Sequence, residues 1–213
     1  GKQASGVKED EVLFKSSEHK FPTDWSSDGR YVLYTTRDPK TQFDLWVLPM
    51  EGDRNPIPFL RTEFNESDGC FSPDMRWIAY VSDESGSNEI YVRAFSQASG
   101  GVSSGAEGKW LISEGGGRGP RWRKDGKELY YRAGDEKVMA VEIASDRMFR
   151  AGTPKPLFQA FRDAVEASAS TFAAAPTWDV TADGNRFLLA APVADSSPAP
   201  FNVILNWTSL LKK

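Results

Sequence analysis

The chain has a single cysteine, Cys70, and a single histidine, His19. A lone cysteine forms no intrachain disulfide and cannot build a cysteine-rich zinc site, and with one histidine beside it a transition-metal centre lacks ligands. No run comes near the roughly 18 apolar residues that cross a bilayer, and the opening Gly1-Lys2-Gln3-Ala4-Ser5 has no apolar signal core, so no membrane insertion is expected. Basic charge is scarce as well. The 26 Lys and Arg against 30 Asp and Glu leave a net charge of -4 and a pI near 5.2, which argues against the clustered basic face that nucleic acid phosphates require, and no DNA or RNA partner is expected.

Catalytic motifs are equally thin. There is no Gly-x-Ser-x-Gly elbow. A Ser-His-Asp triad would have to use His19, which sits in the polar run 16–20 before Pro22 and reads as a solvated loop residue. The acidic run Glu9-Asp10-Glu11 reads as a solvated face and not as a calcium site. Gly115-Gly116-Gly117-Arg118 resembles a phosphate cradle in composition only, because it lies between two expected strands and not before a helix N-terminus. Cys70 reads as a small buried residue, and no cofactor, metal or catalytic residue is expected.

Large side chains and a repeat are what the chain has in quantity. Seven Trp and 13 Phe in 213 residues, with 39% hydrophobic residues, suit a folded chain with a substantial core. Asp24-Trp25-Ser26-Ser27-Asp28-Gly29-Arg30 precedes Tyr31-Val32-Leu33-Tyr34; Phe71-Ser72-Pro73-Asp74-Met75-Arg76 precedes Trp77-Ile78-Ala79-Tyr80; Trp122-Arg123-Lys124-Asp125-Gly126-Lys127 precedes Glu128-Leu129-Tyr130-Tyr131; and Val180-Thr181-Ala182-Asp183-Gly184-Asn185 precedes Arg186-Phe187-Leu188-Leu189. The spacing is roughly 50 residues, the period of four-stranded propeller blades. Strands such as Tyr-Val-Leu-Tyr and Trp-Ile-Ala-Tyr are large on both faces, so both faces seek cover, and radial stacking of sheets provides it. Asp-Gly suits the turn between first and second strands; Met75 and Asn185 depart from the pattern.

The expected strands are 24–26, 31–36, 44–48 and 57–61; then 70–72, 77–82, 89–95 and 110–113, with the Gly/Ser-rich 99–108 as a loop; then 121–123, 128–133, 138–143 and 156–159; then 178–181, 186–191 and 202–207, without a fourth strand. The domain reading is a disordered tail over 1–10 and one β-propeller domain over 11–213. Its blades span about 21–62, 67–114, 118–160 and 176–208, with 11–15 as an outer strand. The fold class is therefore all-β: a β-propeller of about four four-stranded antiparallel blades. The orphan strand at 11–15 either closes a ring by pairing with the last blade or belongs to a blade of a larger propeller, and the second is favoured. Open sheet edges would then be covered by self-association.

These motifs, with Asp44-Leu45-Trp46-Val47 and Glu89-Ile90-Tyr91-Val92, resemble the TolB-type, WD-like propeller repeat of bacterial proteins. The similarity covers about 11–207. Such repeats occur in periplasmic scaffolds, in the propeller halves of prolyl oligopeptidase-like enzymes and behind bacterial Ser/Thr kinase domains, so the resemblance specifies fold more than function. It implies a periplasmic or extracytoplasmic setting. The ending Asn202-Val203-Ile204-Leu205-Asn206-Trp207 resembles the C-terminus of the kinase-linked group.

Function is sought where the copies differ. Before the opening aromatic stand Asp24, Cys70, Arg121 and Asp179. In a propeller the first strand lines the central channel, so Asp24, Arg121 and Asp179 either pair with one another and with backbone or line a ligand pocket at the channel mouth. The loops 16–22, 63–69, 114–119 and 160–176 form one face, and Glu66 and Arg118 on two of them are expected to contact a partner. The long loop 160–176 is expected to be mobile or to act as a lid. The function expected is non-enzymatic protein or peptide binding through this face. The alternatives are a sensor or gating domain of a larger kinase or oligopeptidase-like hydrolase, and a propeller that binds a small molecule or sugar.

Overall fold

The computed structural model describes residues 12–98, 101–145, 148–160, 178–190 and 201–205, with side chains outside 97–107 and 201–205. The first sheet is a meander of β1 (Lys20–Trp25), β2 (Tyr31–Asp38), β3 (Gln42–Pro49) and β4 (Ile57–Leu60). The second holds β5 (Glu66–Phe71), β6 (Trp77–Ser82), β7 (Glu89–Ala98) and β8 (Gly101–Leu111). In the third, β9 (Gly117–Trp122), β10 (Glu128–Ala133) and β11 (Lys137–Ala144) are followed by two short strands, β12 (Arg150–Ala151) and β13 (Lys155–Gln159), which both pair with β11. The fourth contains β14 (Trp178–Val180), β15 (Arg186–Ala190) and β16 (Phe201–Leu205). All pairing is antiparallel, and the first strands of consecutive sheets contact one another, as in blades around an axis.

Each blade shares a core with the next. Leu33, Leu45, Val47 and Phe59 of the first pack with Phe71, Ile78, Tyr80 and Phe95 of the second. Ala79, Val81, Ile90 and Val92 meet Leu129, Tyr131, Val141 and Ile143 across the second boundary. Tyr130, Val138 and Leu157 meet Trp178, Phe187 and Leu189 across the third. Because both faces of a middle sheet are buried this way, its second strand has no exposed side; β6 is buried at every position.

The repeated acidic residue is turn chemistry. Ser26 Oγ donates to Asp28 Oδ1 at 2.7 Å, Arg30 N–H donates to the same oxygen at 3.0 Å, and Tyr31 N–H donates to Ser26 Oγ at 2.9 Å. Ser72 with Asp74 and Thr181 with Asp183 repeat the arrangement at 2.6 and 2.5 Å. In the third blade Arg123 replaces the hydroxyl, giving two bonds to Asp125 at 2.7 and 2.8 Å. The bonds from Thr181 and from the Asn185 N–H push the Asp183 carboxyl down to about 2. The residue after the acid is left-handed in all four copies: φ is 77° at Gly29, 58° at Met75, 71° at Gly126 and 73° at Gly184. Asn185 takes the place of Arg30, one position beyond, so only Met75 departs from the conformational rule. Its side chain is buried in the core between the first two blades, and that packing offsets a strain of about 1–2 kcal/mol.

Three sequence expectations are corrected. Residues 12–15 carry no strand, and Glu11 lies outside the described residues; among the described residues the first strand begins at Lys20 and includes Pro22. Proline is tolerated there because β1 pairs on one side only and shifts register between Pro22 and Asp24. The stretch 99–108 is mostly strand, since β7 and β8 zip from Tyr91 opposite Leu111 out to Ala98 opposite Gly101. Once the hairpin is closed, each further pair adds ladder bonds at little extra entropy, which overrides the weak strand preference of Gly and Ser. The third blade divides its outer edge between β12 and β13 where one strand was expected. The expected tail and the loop 160–176 lie outside the described residues, apart from Ala160.

The turn geometry makes a graded prediction. A methyl group at Gly29 meets nothing within 4 Å, whereas at Gly184 it falls 2.3 Å from the Tyr130 hydroxyl and 3.0 Å from Arg123 Cδ. Gly29→Ala therefore costs about 1 kcal/mol of conformational strain, and Gly184→Ala costs clearly more. Equal losses in denaturant unfolding of the two variants would contradict this account of the turns.

Candidate functional site

The four residues before the motif openers occupy one structural position. Asp24 stands opposite Leu33, Cys70 opposite Ala79, Arg121 opposite Tyr130 and Asp179 opposite Leu188. Three of them reach the next blade. Asp24 Oδ2 accepts the Phe71 N–H at 2.8 Å, while its Oδ1 accepts the Trp25 N–H at 2.8 Å. The Cys70 thiol donates to the Pro120 carbonyl at 3.2 Å. Arg121 Nε lies 3.8 Å from Asp179 Oδ1 and its Nη1 donates to the Pro120 carbonyl at 2.7 Å. Burial pushes the Cys70 thiol up, so it serves as a small packed donor and not as a nucleophile.

Of the three charged candidates, Asp24 has both oxygens committed to backbone and the Arg121 side chain is only 16% exposed, but that of Asp179 is 71% exposed. Asp68 joins them. It sits in the β5 irregularity between Ser67 and Cys70 with φ 51°. Burial raises its carboxyl above the ordinary aspartate range, opposed by Arg121, the Gly119 N–H and Arg118. Burial likewise raises Asp24, opposed by the Phe71 and Trp25 N–H groups and by Arg121. Arg121 is thus the cation that three inner carboxyl groups share. Asp68 went unnoticed in the sequence because Asp68-Gly69 has the look of a turn; the signal was an aspartate two residues before the linking position. Among the described residues no group of three His, Cys, Asp or Glu could hold a metal ion.

At the opposite end of the first strands, carboxylates turn inward and brace the connections between blades. Glu89 accepts the Ser113 hydroxyl at 2.5 Å and the Gly115 and Gly116 N–H groups at 3.0 and 2.8 Å. Asp83 takes the Asn65 N–H and Nδ2 at 2.9 and 2.6 Å. Glu136 receives both Arg118 and the fully buried Arg132. Glu66 receives the Thr62 hydroxyl and is only 2% exposed, so it braces its loop instead of presenting a charge to a partner. Arg118 is 28% exposed at its side chain and is engaged by Glu136. His19 is exposed just before β1, and its carbonyl accepts the Arg37 N–H.

No family model matches the chain, and no curated protein sequence matches it. Solved structures do. TolB from Acinetobacter baumannii superposes with a TM-score of 0.66 at 14% identity, over 95% of this chain and 44% of that one. A puromycin-hydrolyzing peptidase from Mycobacterium tuberculosis superposes with a TM-score of 0.59 at 14% identity, over 90% of this chain and 30% of that one. The chain has a TolB-like β-propeller fold and spans less than half the length of either protein.

Two measurements probe the site. Asp24→Ala strips the Phe71 N–H of its partner and costs about 1–3 kcal/mol in denaturant unfolding, while the same change at exposed Asp179 stays within about 0.5 kcal/mol. Equal costs would refute the linking role of Asp24. Glu66 is lifted from 4.5 to about 7 by burial, with Asp44 and Glu84 adding to the rise and Thr62 opposing it. Between those values the folded state holds more protons than the unfolded one, so this contribution to stability is lost as pH rises through the window. Glu66→Gln should therefore stabilise by roughly 1–3 kcal/mol near pH 8 and change little near pH 4. A gain equal at both pH values would contradict the assignment.

Proposed function

We propose that the chain is a binding scaffold that docks a protein partner on the connection face of its blades. The observation that carries this reading is the bracing of that face. Buried or half-buried Glu66, Asp83, Glu89 and Glu136 hold the connections by hydrogen bonds, so little conformational freedom is left to lose on binding. Around these anchors lie charges of both signs in matched pairs, each with a partly exposed basic member: Lys109 with Glu84, Lys137 with Asp135 and Arg61 with Asp38. A rigid rim of mixed polarity suits a folded protein surface better than a deep-seated small molecule. The inner carboxyl groups favour a structural role over sugar chemistry, since Asp24 is committed to two backbone N–H groups.

The test is affinity capture from the native organism's extract, followed by titration of the identified partner with purified chains. Lys109→Glu combined with Lys137→Glu should weaken binding at least tenfold with the melting temperature unchanged, because both side chains are more than two-fifths exposed. Undiminished affinity in the double variant would overturn the proposed face.

A further inference from the structure

The connections that leave the first three blades are built on matching repeat positions, and they satisfy their buried carboxylates in different ways. Asp44, Glu89 and Lys137 are equivalent in the third strands. In the second strands Thr35, Val81 and Arg132 are equivalent, standing opposite Leu45, Ile90 and Val138. In the second blade Glu89 is served by hydrogen-bond donors: the Ser113 hydroxyl on one oxygen and the Gly115 and Gly116 N–H groups on the other. In the third blade the second-strand position is itself a cation, and fully buried Arg132 donates to Glu136.

The first blade has neither device. Asp44 Oδ2 accepts the Thr41 hydroxyl at 2.7 Å and Glu66 Oε1 accepts that of Thr62, but Asp44 Oδ1 and Glu66 Oε2 are buried with no hydrogen-bond partner among the described residues. Thr35 stands where the third blade has its arginine; it is 0% exposed, and its hydroxyl is likewise without a partner. These groups turn toward one boundary. Thr35 shares the face of β2 that carries Leu33, and Glu66, opposite Ser82, shares the side of the second sheet that carries Tyr80; Leu33 and Tyr80 pack in the core between the two blades. Asp44 is near enough to act on the Glu66 carboxyl. The neighbouring basic groups are committed elsewhere, Arg61 to Asp38 at 2.8 Å and Lys109 to Glu84 at 2.6 Å, and Arg61 Nε stands 3.7 Å from the other oxygen of Asp44.

We propose that the first connection holds a calcium ion between Asp44 Oδ1, Glu66 Oε2 and the Thr35 hydroxyl, supplying from outside the positive charge that Arg132 supplies in the third blade. The donors are all oxygen and two are carboxylates, which suits a hard divalent cation and not a transition metal. Calcium accepts an irregular shell completed by water, whereas magnesium demands a near-octahedral one. Only two carboxylates take part, so the site does not amount to the group of three acidic, thiol or imidazole side chains that is absent among the described residues. The ion would tie β2 and β3 to β5 and relieve the cost of burying two carboxylates side by side.

Calorimetric titration of the full chain tests this, with calcium chloride added to chelator-treated protein near pH 8, above the value of about 7 to which burial lifts Glu66. One ion should bind per chain, and its uptake should raise the melting temperature. Glu66→Gln, which in the calcium-free chain gains stability at this pH, should bind calcium roughly tenfold more weakly or worse and lose the calcium-dependent rise in melting temperature, with circular dichroism unchanged. Thr35→Val should weaken binding in the same direction by a smaller factor. No calcium uptake by the folded native chain would overturn the proposal, and so would native affinity in Glu66→Gln. No protein partner enters the titration, so its outcome is independent of the docking reading above.

Discussion

A propeller makes every blade begin with an edge strand. The strand nearest the axis pairs with its own sheet on one side and turns a row of backbone groups toward neighbours that do not form a ladder with it. Here that row is met by side chains. The Phe71 N–H finds the Asp24 carboxylate of the preceding blade, and the Pro120 carbonyl finds the Cys70 thiol, also from the preceding blade. These bonds fix how deeply each sheet sits at the axis, and the apolar boundaries described above then pack in register. A chain that buried the same large side chains without these bonds would leave polar backbone inside its narrowest part.

The same position explains why the repeats differ where they do. At the turn, one geometry is needed four times, so the acidic residue and the left-handed residue recur. At the link, each copy meets a different neighbour and the residue type follows the group opposite: a carboxylate for an N–H, a thiol for a carbonyl, a guanidinium for a carboxylate. Variation among copies is thus partly structural, and it cannot be taken as a map of binding residues. Partly exposed charges such as Lys109 and Lys137 lie on the rim of the braced connections. Inside that rim, buried carboxylates such as Glu66 trade electrostatic cost for loop order.

Much of this was legible in the residues. Asp28-Gly29 and its copies place four turns, and the apolar runs after them place the second strands within a residue or two of where they stand. What escaped depends on contacts between segments distant in sequence. Glycine and serine over 101–108 disfavour a strand in isolation, and only pairing with β7 makes them one. Asp68 acquires meaning only when Arg121, many residues later, is brought beside it. Glu66 looks like an exposed loop acid until the fold buries it beneath its own connection. Asp24 and Asp179 are the same residue type at the same repeat position, and their difference in cover arises from what adjoins their blades.

The central claim, that side chains of one blade satisfy the inner backbone of the next, is most directly tested by amide hydrogen exchange at Phe71. Its N–H points away from its own sheet toward Asp24, so its protection comes from the preceding blade. The account predicts a slowly exchanging Phe71 amide in the native chain and a selective acceleration at Phe71 in the Asp24→Ala variant, with β6 amides unchanged. A Phe71 amide that exchanges freely in the native chain, or remains protected without the Asp24 carboxylate, would contradict it.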